Sequence, residues 1–209
     1  MNYNILSPNI IECEDFLPQH KIDLLYVDFL NNRSKFSISS WRNEDGSSSP
    51  QFYNSSCGGF DFWNWEGFEK DCPAISSMVE WFLHQGLGYF SERNNLQLFT
   101  LLKQKVWYDT HVVGYNHGGY YNWHTDAGKG NVFTFNLVLN KSKELEGGDM
   151  LFMDGKELIK VKNKNNYMVV FPSFIPHAIT PLYTQNKKDV SFTSQRFSVQ
   201  FWIKLSKDG

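Results

Sequence analysis

The chain lacks most of the features that commit a sequence to an unusual environment. Cysteine is scarce: Cys13, Cys57 and Cys72 are the three in 209 residues, odd in number and scattered, with no CxxC pair. That pattern offers no disulfide framework and points to a reducing compartment. No stretch approaches the roughly 20 apolar residues that span a bilayer. The N-terminal MNYNILSPNIIECEDF has neither a basic start nor an apolar run of signal-peptide length. The expectation is a cytoplasmic protein with no membrane partner. An excess of one charge is also missing; the net charge of -2 gives no global pull towards nucleic acid. Internal repeats and low-complexity linkers are absent as well.

What is present is ordinary globular material, 41% hydrophobic and 20% charged, in a length that suits one domain. Aromatics are abundant at 17%. They favour strands and lined pockets, so the composition leans towards a β-rich fold with a cavity.

Pro18 suits a first helical turn, and Ile22, Leu25, Val27 and Phe29 give apolar cover for a helix from Pro18 to about Leu30. Residues 31–72 read as irregular, with Asn, Ser and Gly among Trp41, Phe52, Tyr53, Phe60, Phe62, Trp63 and Trp65. So long a stretch suggests a lid or an arm packed by its own aromatics, holding at most short strands. A second helix is expected from about Ala74 to Phe90, on the spacing of Ile75, Met78, Val79, Phe82 and Leu83. From about Leu96 the texture changes to short β-prone runs: 105–113, 132–139, 150–153, 158–161, 167–171 and 196–204, separated by Gly, Asn and Asp. The fold class expected is α+β, mainly β: a jelly roll over residues 96–209 supported by residues 1–95.

His124-Thr125-Asp126 is the central chemical signal. In a strand, positions i and i+2 share a face, so both side chains can reach one metal ion. His177 follows the strand YMVVFP, is preceded by Pro176, and is the candidate third ligand. Two His and one carboxylate form the facial triad of non-haem Fe(II) sites, which leaves coordination positions open. Arg196 opens the strand RFSVQFWIK, whose alternation puts Arg196, Ser198, Gln200 and Trp202 on one face and Phe197, Val199, Phe201 and Ile203 on the other. Its two-pronged guanidinium suits a carboxylate ligand.

Taken in order, these segments resemble a known family. GYNHGGYYNWHTD looks like the Y-x-x-G-x-x-Y-x-x-H-x-D approach of prolyl 4-hydroxylase-like, PKHD-type 2-oxoglutarate oxygenases, and ELEGGDMLFMDG is similar to their E-G-G-E/D-L hairpin. NYMVVFPSFIPHAITPL resembles the segment that carries their distal His, and SQRFSVQFW their closing G-x-R-x-x-x-x-x-W. The agreement runs over residues 111–203, and DFLPQHKIDLL resembles the family's opening strand and helix less specifically.

The resemblance implies a double-stranded β-helix and a dioxygenase that uses Fe(II), 2-oxoglutarate and O2, with ascorbate as a reductant. It implies iron ligation by His124, Asp126 and His177, and a contact from Arg196 to the far carboxylate of the cosubstrate. Tyr115 sits where the family often places a cosubstrate-binding tyrosine, or else it is a core tyrosine. Thr134 and Asn136 share a strand face that can line the same pocket. A peptidyl prolyl or similar protein side chain is the substrate implied by analogy. Free amino acids, small metabolites and alkylated nucleobases are alternatives, as is a non-catalytic jelly-roll binding domain. The nucleobase branch expects a second Arg six residues after the first, where this chain has Trp202.

Two departures fall near the substrate entrance. TQNKKDVSFTS lengthens the chain between His177 and Arg196 and can cover the site. NVFTFN replaces the family's usual Arg-x-Leu-Ser after the HxD. Of the other histidines, His111 shares a strand face with Trp107 and Asp109 but reads as a non-ligand. His117 reads as facing solvent or substrate, and His20 and His84 as surface or capping residues of helices.

Overall fold

The strict alternation of RFSVQFWIK marks a strand buried on both sides, and it organises the molecule. In the computed structural model, which describes residues 2–38, 59–63, 67–86, 107–142, 145–184 and 191–205, the chain begins with β1 (Asn2–Ser7), β2 (Ile10–Glu14) and helix α1 (Gln19–Asn31). Next come β3 (Ser37–Ile38), β4 (Gly59–Trp63), α2 (Phe68–Asp71) and α3 (Pro73–Trp81). The remaining strands are β5 (Trp107–Tyr115), β6 (Tyr121–His124), β7 (Asn131–Asn140), β8 (Leu145–Gly147), β9 (Met150–Asp154) and β10 (Glu157–Val161). They are followed by β11 (Tyr167–Pro172), β12 (His177–Ile179), β13 (Leu182–Thr184) and β14 (Arg196–Lys204).

The large sheet has the order β1-β2-β11-β7-β14-β5-β4-β3, and the small one β10-β9-β12-β6, with β13 paired to β8. Every pairing is antiparallel. Because side chains alternate along a strand, the large sheet serves two cores at once. Its outer face packs Phe133, Phe135, Leu137, Phe197, Val199, Phe201 and Ile203 against Ile22, Leu25 and Phe29 of α1 and Ile75 and Val79 of α3. Its inner face puts Val113, Tyr115, Val138, Val169 and Phe171 against Met150, Phe152 and Ile179 of the small sheet. Two facing antiparallel sheets of this kind form a mainly β double-stranded β-helix.

The expected helix over 18–30 matches α1 within a residue. The expected helix over 74–90 does not run on regularly: α3 stops at Trp81 and a π-helical turn spans Phe82–Gly86, while residues 87–90 lie outside the described chain. The turn lays Phe82 edge-on against Phe135 (4.7 Å) and Phe201 (5.0 Å). A Cβ at Gly86 would approach the Phe82 ring to 2.5 Å, so the turn needs a residue without one. Asp28 of α1 caps α3 from outside, accepting the Ile75 N–H at 2.9 Å.

The β1–β2 hairpin, which extends the large sheet beside β11, was not predicted from sequence. Within residues 31–72 the described parts hold short elements, a 3-10 turn at Arg33–Lys35, β3, β4 and α2. Trp41 and Trp65 lie outside the described residues. Of the long loop before β14, residues 185–190 do too. Its end puts Phe192 among Phe36 and Phe197 in the helix-side core, away from the inner face. No helix among the described residues is long and apolar enough to cross a membrane.

Candidate metal centre

His124 ends β6 and His177 opens β12, and the two residues are direct register partners. Asp126 is not on the strand, contrary to the i, i+2 geometry expected from sequence. It lies in the turn after β6, where its N–H donates to Ser173 O at 2.8 Å. That bond brings the carboxylate beneath both imidazoles: Asp126 Oδ1 is 3.5 Å from His124 Nε2, and Oδ2 is 3.5 Å from His177 Nε2. The three ligand atoms all lie within 4.8 Å of one another.

The rings are aimed by their own backbone. His124 Nδ1 is 2.8 Å from Asn122 O, and His177 Nδ1 is 3.0 Å from Ile175 O. A carbonyl only accepts, so each Nδ1 carries the proton and each Nε2 presents its lone pair to the centre. His177 is buried between the rings of Phe152 and Phe171. Its Nε2 has no hydrogen-bond partner among the described residues, an orphan acceptor of the kind a metal ion satisfies. Burial pushes the His177 imidazole down to about 4, against the opposing pull of the Asp126 carboxylate, so it is neutral near pH 7. Burial alone would raise the Asp126 carboxyl. The neighbouring His124, His177 and Trp202 side chains outweigh it and hold the carboxyl of the metal-free protein below the usual range.

A narrow cavity of about 30 Å³ opens on the triad, walled by Tyr115, Tyr121, Ile179, Gln200, Trp202 and His111 among others. That volume holds little more than a water or two. A larger apolar cleft, about 850 Å³, lies between α1 and α3 and contains none of the triad; size alone is a poor guide to the chemistry here.

Arg196 is fully buried at the start of β14, opposite Tyr115 on β5, with its guanidinium 4.8 Å above that ring. Its Nη1 donates to Ser198 Oγ at 2.8 Å, while Nε and Nη2 have no partner among the described residues. A buried cation with two idle donors fits a carboxylate ligand. Arg196 is not in the cavity wall; it stands behind Tyr115. Thr134 does not face the cavity either: its hydroxyl donates to Asp126 Oδ2 at 2.8 Å. Asn136 is buried next to Met150, with Nδ2 3.4 Å from Sδ and Oδ1 lacking a partner. His111 stacks on Trp202 at 5.7 Å and lines the cavity without joining the triad. His117 is held by Thr184, and His20 and His84 are exposed. Tyr121, 4.2 Å from the His124 ring, was not singled out from sequence, although it is the second Tyr of the Y-x-x-G-x-x-Y pattern.

Residues 110–204 match the model of the 2OG-Fe(II) oxygenase superfamily. Among solved structures, the chain is similar to a prolyl hydroxylase from Trichoplax adhaerens in complex with a hypoxia inducible factor peptide fragment (TM-score 0.69, 18% identity, covering 97% of this chain and 86% of that one). It is also similar to a Pseudomonas putida prolyl-4-hydroxylase (0.61, 16%, 95% and 93%). A third is the viral collagen prolyl hydroxylase of Paramecium Bursaria Chlorella virus-1 in its 2OG complex (0.54, 16%, 93% and 95%). No curated protein sequence matches. At these identities the structures establish the shared fold, and the match over residues 110–204 supplies the chemistry. Residues 110–204, which hold the His-Asp-His cluster, match the 2OG-Fe(II) oxygenase superfamily, and that match implies a dioxygenase using iron, 2-oxoglutarate and O2 on a fold shared with the prolyl hydroxylases.

Proposed function

We propose that His124, Asp126 and His177 hold the iron, that Arg196 receives the far carboxylate of 2-oxoglutarate, and that the enzyme hydroxylates a prolyl or similar side chain within a peptide. The convergence of two Nε2 lone pairs and one carboxylate within 4.8 Å carries the first part. The idle Nε and Nη2 of Arg196 support the second. Iron and 2-oxoglutarate together supply the oxidising power for hydroxylation of an unactivated C–H bond.

The chain's own residues orient and shield. The carbonyls of Asn122 and Ile175 keep both imidazoles in the ligating tautomer. Phe152 and Phe171 keep water from the His177 side. Tyr115, between Arg196 and the cavity, has to shift for the guanidinium to meet a ligand that also reaches the triad. The cavity of about 30 Å³ would have to widen to admit the cosubstrate.

The peptide substrate is supported by the Trichoplax adhaerens neighbour, whose structure holds a peptide fragment on the same fold. Buried, unbridged Cys13 and Cys72 accord with a reducing, cytoplasmic setting. Anaerobic addition of Fe(II) and then 2-oxoglutarate tests the cofactor assignment through the visible charge-transfer absorption of the chelate. The band appears in wild type, vanishes in His124→Ala and requires far more cosubstrate in Arg196→Ala. Its absence from folded, metal-loaded wild type overturns the proposal. Succinate release across prolyl and non-prolyl peptides then tests the substrate, and stimulation by non-prolyl peptides alone rejects the prolyl assignment.

A further inference from the structure

Asp126 is held at both ends by one residue. Ser173, immediately after β11, accepts the Asp126 N–H on its carbonyl at 2.8 Å and donates its own N–H to Val132 O at 3.0 Å. Its hydroxyl lies 3.0 Å from Thr134 Oγ1, which in turn is 2.8 Å from Asp126 Oδ2. Thr134 and Ser173 are both wholly buried.

The direction of this chain follows from proton counting. The Thr134 hydroxyl donates to Asp126 Oδ2, and a carboxylate that ligates a metal has no proton to give back. The single Thr134 proton therefore goes to Oδ2, and Ser173 must be the donor to Thr134. The result is Ser173 Oγ–H to Thr134 Oγ to Asp126 Oδ2, each hydrogen bond polarising the next. Oδ2 is thereby engaged by a hydroxyl, while Oδ1 faces His124 Nε2 at 3.5 Å.

We propose that Ser173 and Thr134 are positioning residues that fix Asp126 as a one-oxygen metal ligand, leaving Oδ1 to the ion. The proposal rests on the reading of His124, Asp126 and His177 as the metal ligands. It also gives a physical role to the FPSFIPH segment. That turn places Ser173 on Asp126 and, through the Ile175 carbonyl, aims His177, so one short stretch sets two of three ligands. Without the hydroxyl on Oδ2, the carboxylate is free to rotate and present both oxygens. Loss of such outer contacts typically costs about 10–100-fold in metal affinity.

The test is Mn(II) titration of the full chain by calorimetry, without cosubstrate, for wild type, Thr134→Val, Thr134→Ser, Ser173→Ala and His177→Ala. Thr134→Val has nearly the wild-type shape but no donor. We expect it to weaken Mn(II) binding about 10–100-fold, Thr134→Ser to restore it, and Ser173→Ala to fall between. Co(II) spectra add a readout that a merely structural role would not move: the d–d bands of Thr134→Val differ from wild type, and those of Thr134→Ser do not. Wild-type Mn(II) affinity in Thr134→Val overturns the proposal. If that variant fails to fold, an unchanged affinity and Co(II) spectrum in Ser173→Ala overturns it instead. Tight Mn(II) binding by His177→Ala would sink the underlying ligand assignment, an outcome separate from either.

Discussion

His124 and His177 are cross-strand partners with ring centroids 4.1 Å apart, each turned by a hydrogen bond to the carbonyl two residues before it. The repeated i to i−2 bond means that backbone geometry alone aims both rings at the proposed metal site. Removing either ring leaves two donors, which do not hold a divalent ion firmly. His124→Ala and His177→Ala should each lower Mn(II) affinity by about 100-fold or more, at the upper end of what loss of metal-site contacts costs, as read by equilibrium dialysis.

Arg196 makes the opposite demand, because a fully buried guanidinium with two donors unpaired among the described residues costs stability in the free protein. Burial pushes its pKa down, against the pull of Tyr115 and Asp149. Arg196→Met should therefore melt at the same temperature as wild type or above it while the KM for 2-oxoglutarate rises about 100-fold, the worth of about 2.7 kcal/mol of charge-assisted hydrogen bonding. Differential scanning calorimetry and succinate assays check the two halves. A large fall in melting temperature would mean that the guanidinium has a structural partner instead.

Gly148 sits at φ +68°, and a Cβ there would lie 2.7 Å from a Leu182 methyl and 3.0 Å from Arg196 Cδ. A side chain at this position is strained by its backbone and also pushes on the stem of Arg196, the proposed cosubstrate contact. Gly148→Ala should raise the KM for 2-oxoglutarate and lower stability by about 1–2 kcal/mol, while Mn(II) affinity stays near wild type. Loss of metal binding along with KM would contradict the separation of the two subsites.

Burial pushes the thiols of Cys13 and Cys72 up from 9.0 to about 12. Between those values the folded chain keeps protons that the unfolded chain has released, so stability falls as pH rises through the window. Tyr26 and Tyr167 are shifted the same way, mainly by burial, and steepen the same alkaline limb. Urea unfolding of a Cys13→Ala/Cys72→Ala double variant should thus lose stability less steeply than wild type above about pH 9. Parallel slopes would refute the assignment. Neither thiol should react with thiol reagents until the protein unfolds.

The residues that were legible in the sequence are those whose chemistry has few substitutes. His124, Asp126 and His177 stood out by type and order, and Arg196 by its place at the head of an alternating strand. Their structural setting was less visible. Asp126 looked like a strand residue because HxD has the period of a strand, yet a main-chain bond to Ser173 holds it in a turn. Thr134 read as pocket lining because sequence gives the face of a strand but not what it meets; the carboxylate met it first. The π-helical turn at Phe82–Gly86 was hidden because apolar spacing continues through it, and the β1–β2 hairpin because its residues are short, mixed and far in sequence from β11.

Strand β14 turns Phe197, Val199, Phe201 and Ile203 to the helices and Arg196, Ser198, Gln200 and Trp202 to the interior. A slip of one position would drive the guanidinium into the helix-side core and turn phenyl rings towards the His124–Asp126–His177 cluster. A misregistered chain therefore loses its packing and the buried placement of Arg196 in the same event. Inactive but well-folded isomers of this strand have no low-energy form, and the act of folding proofreads the enzyme.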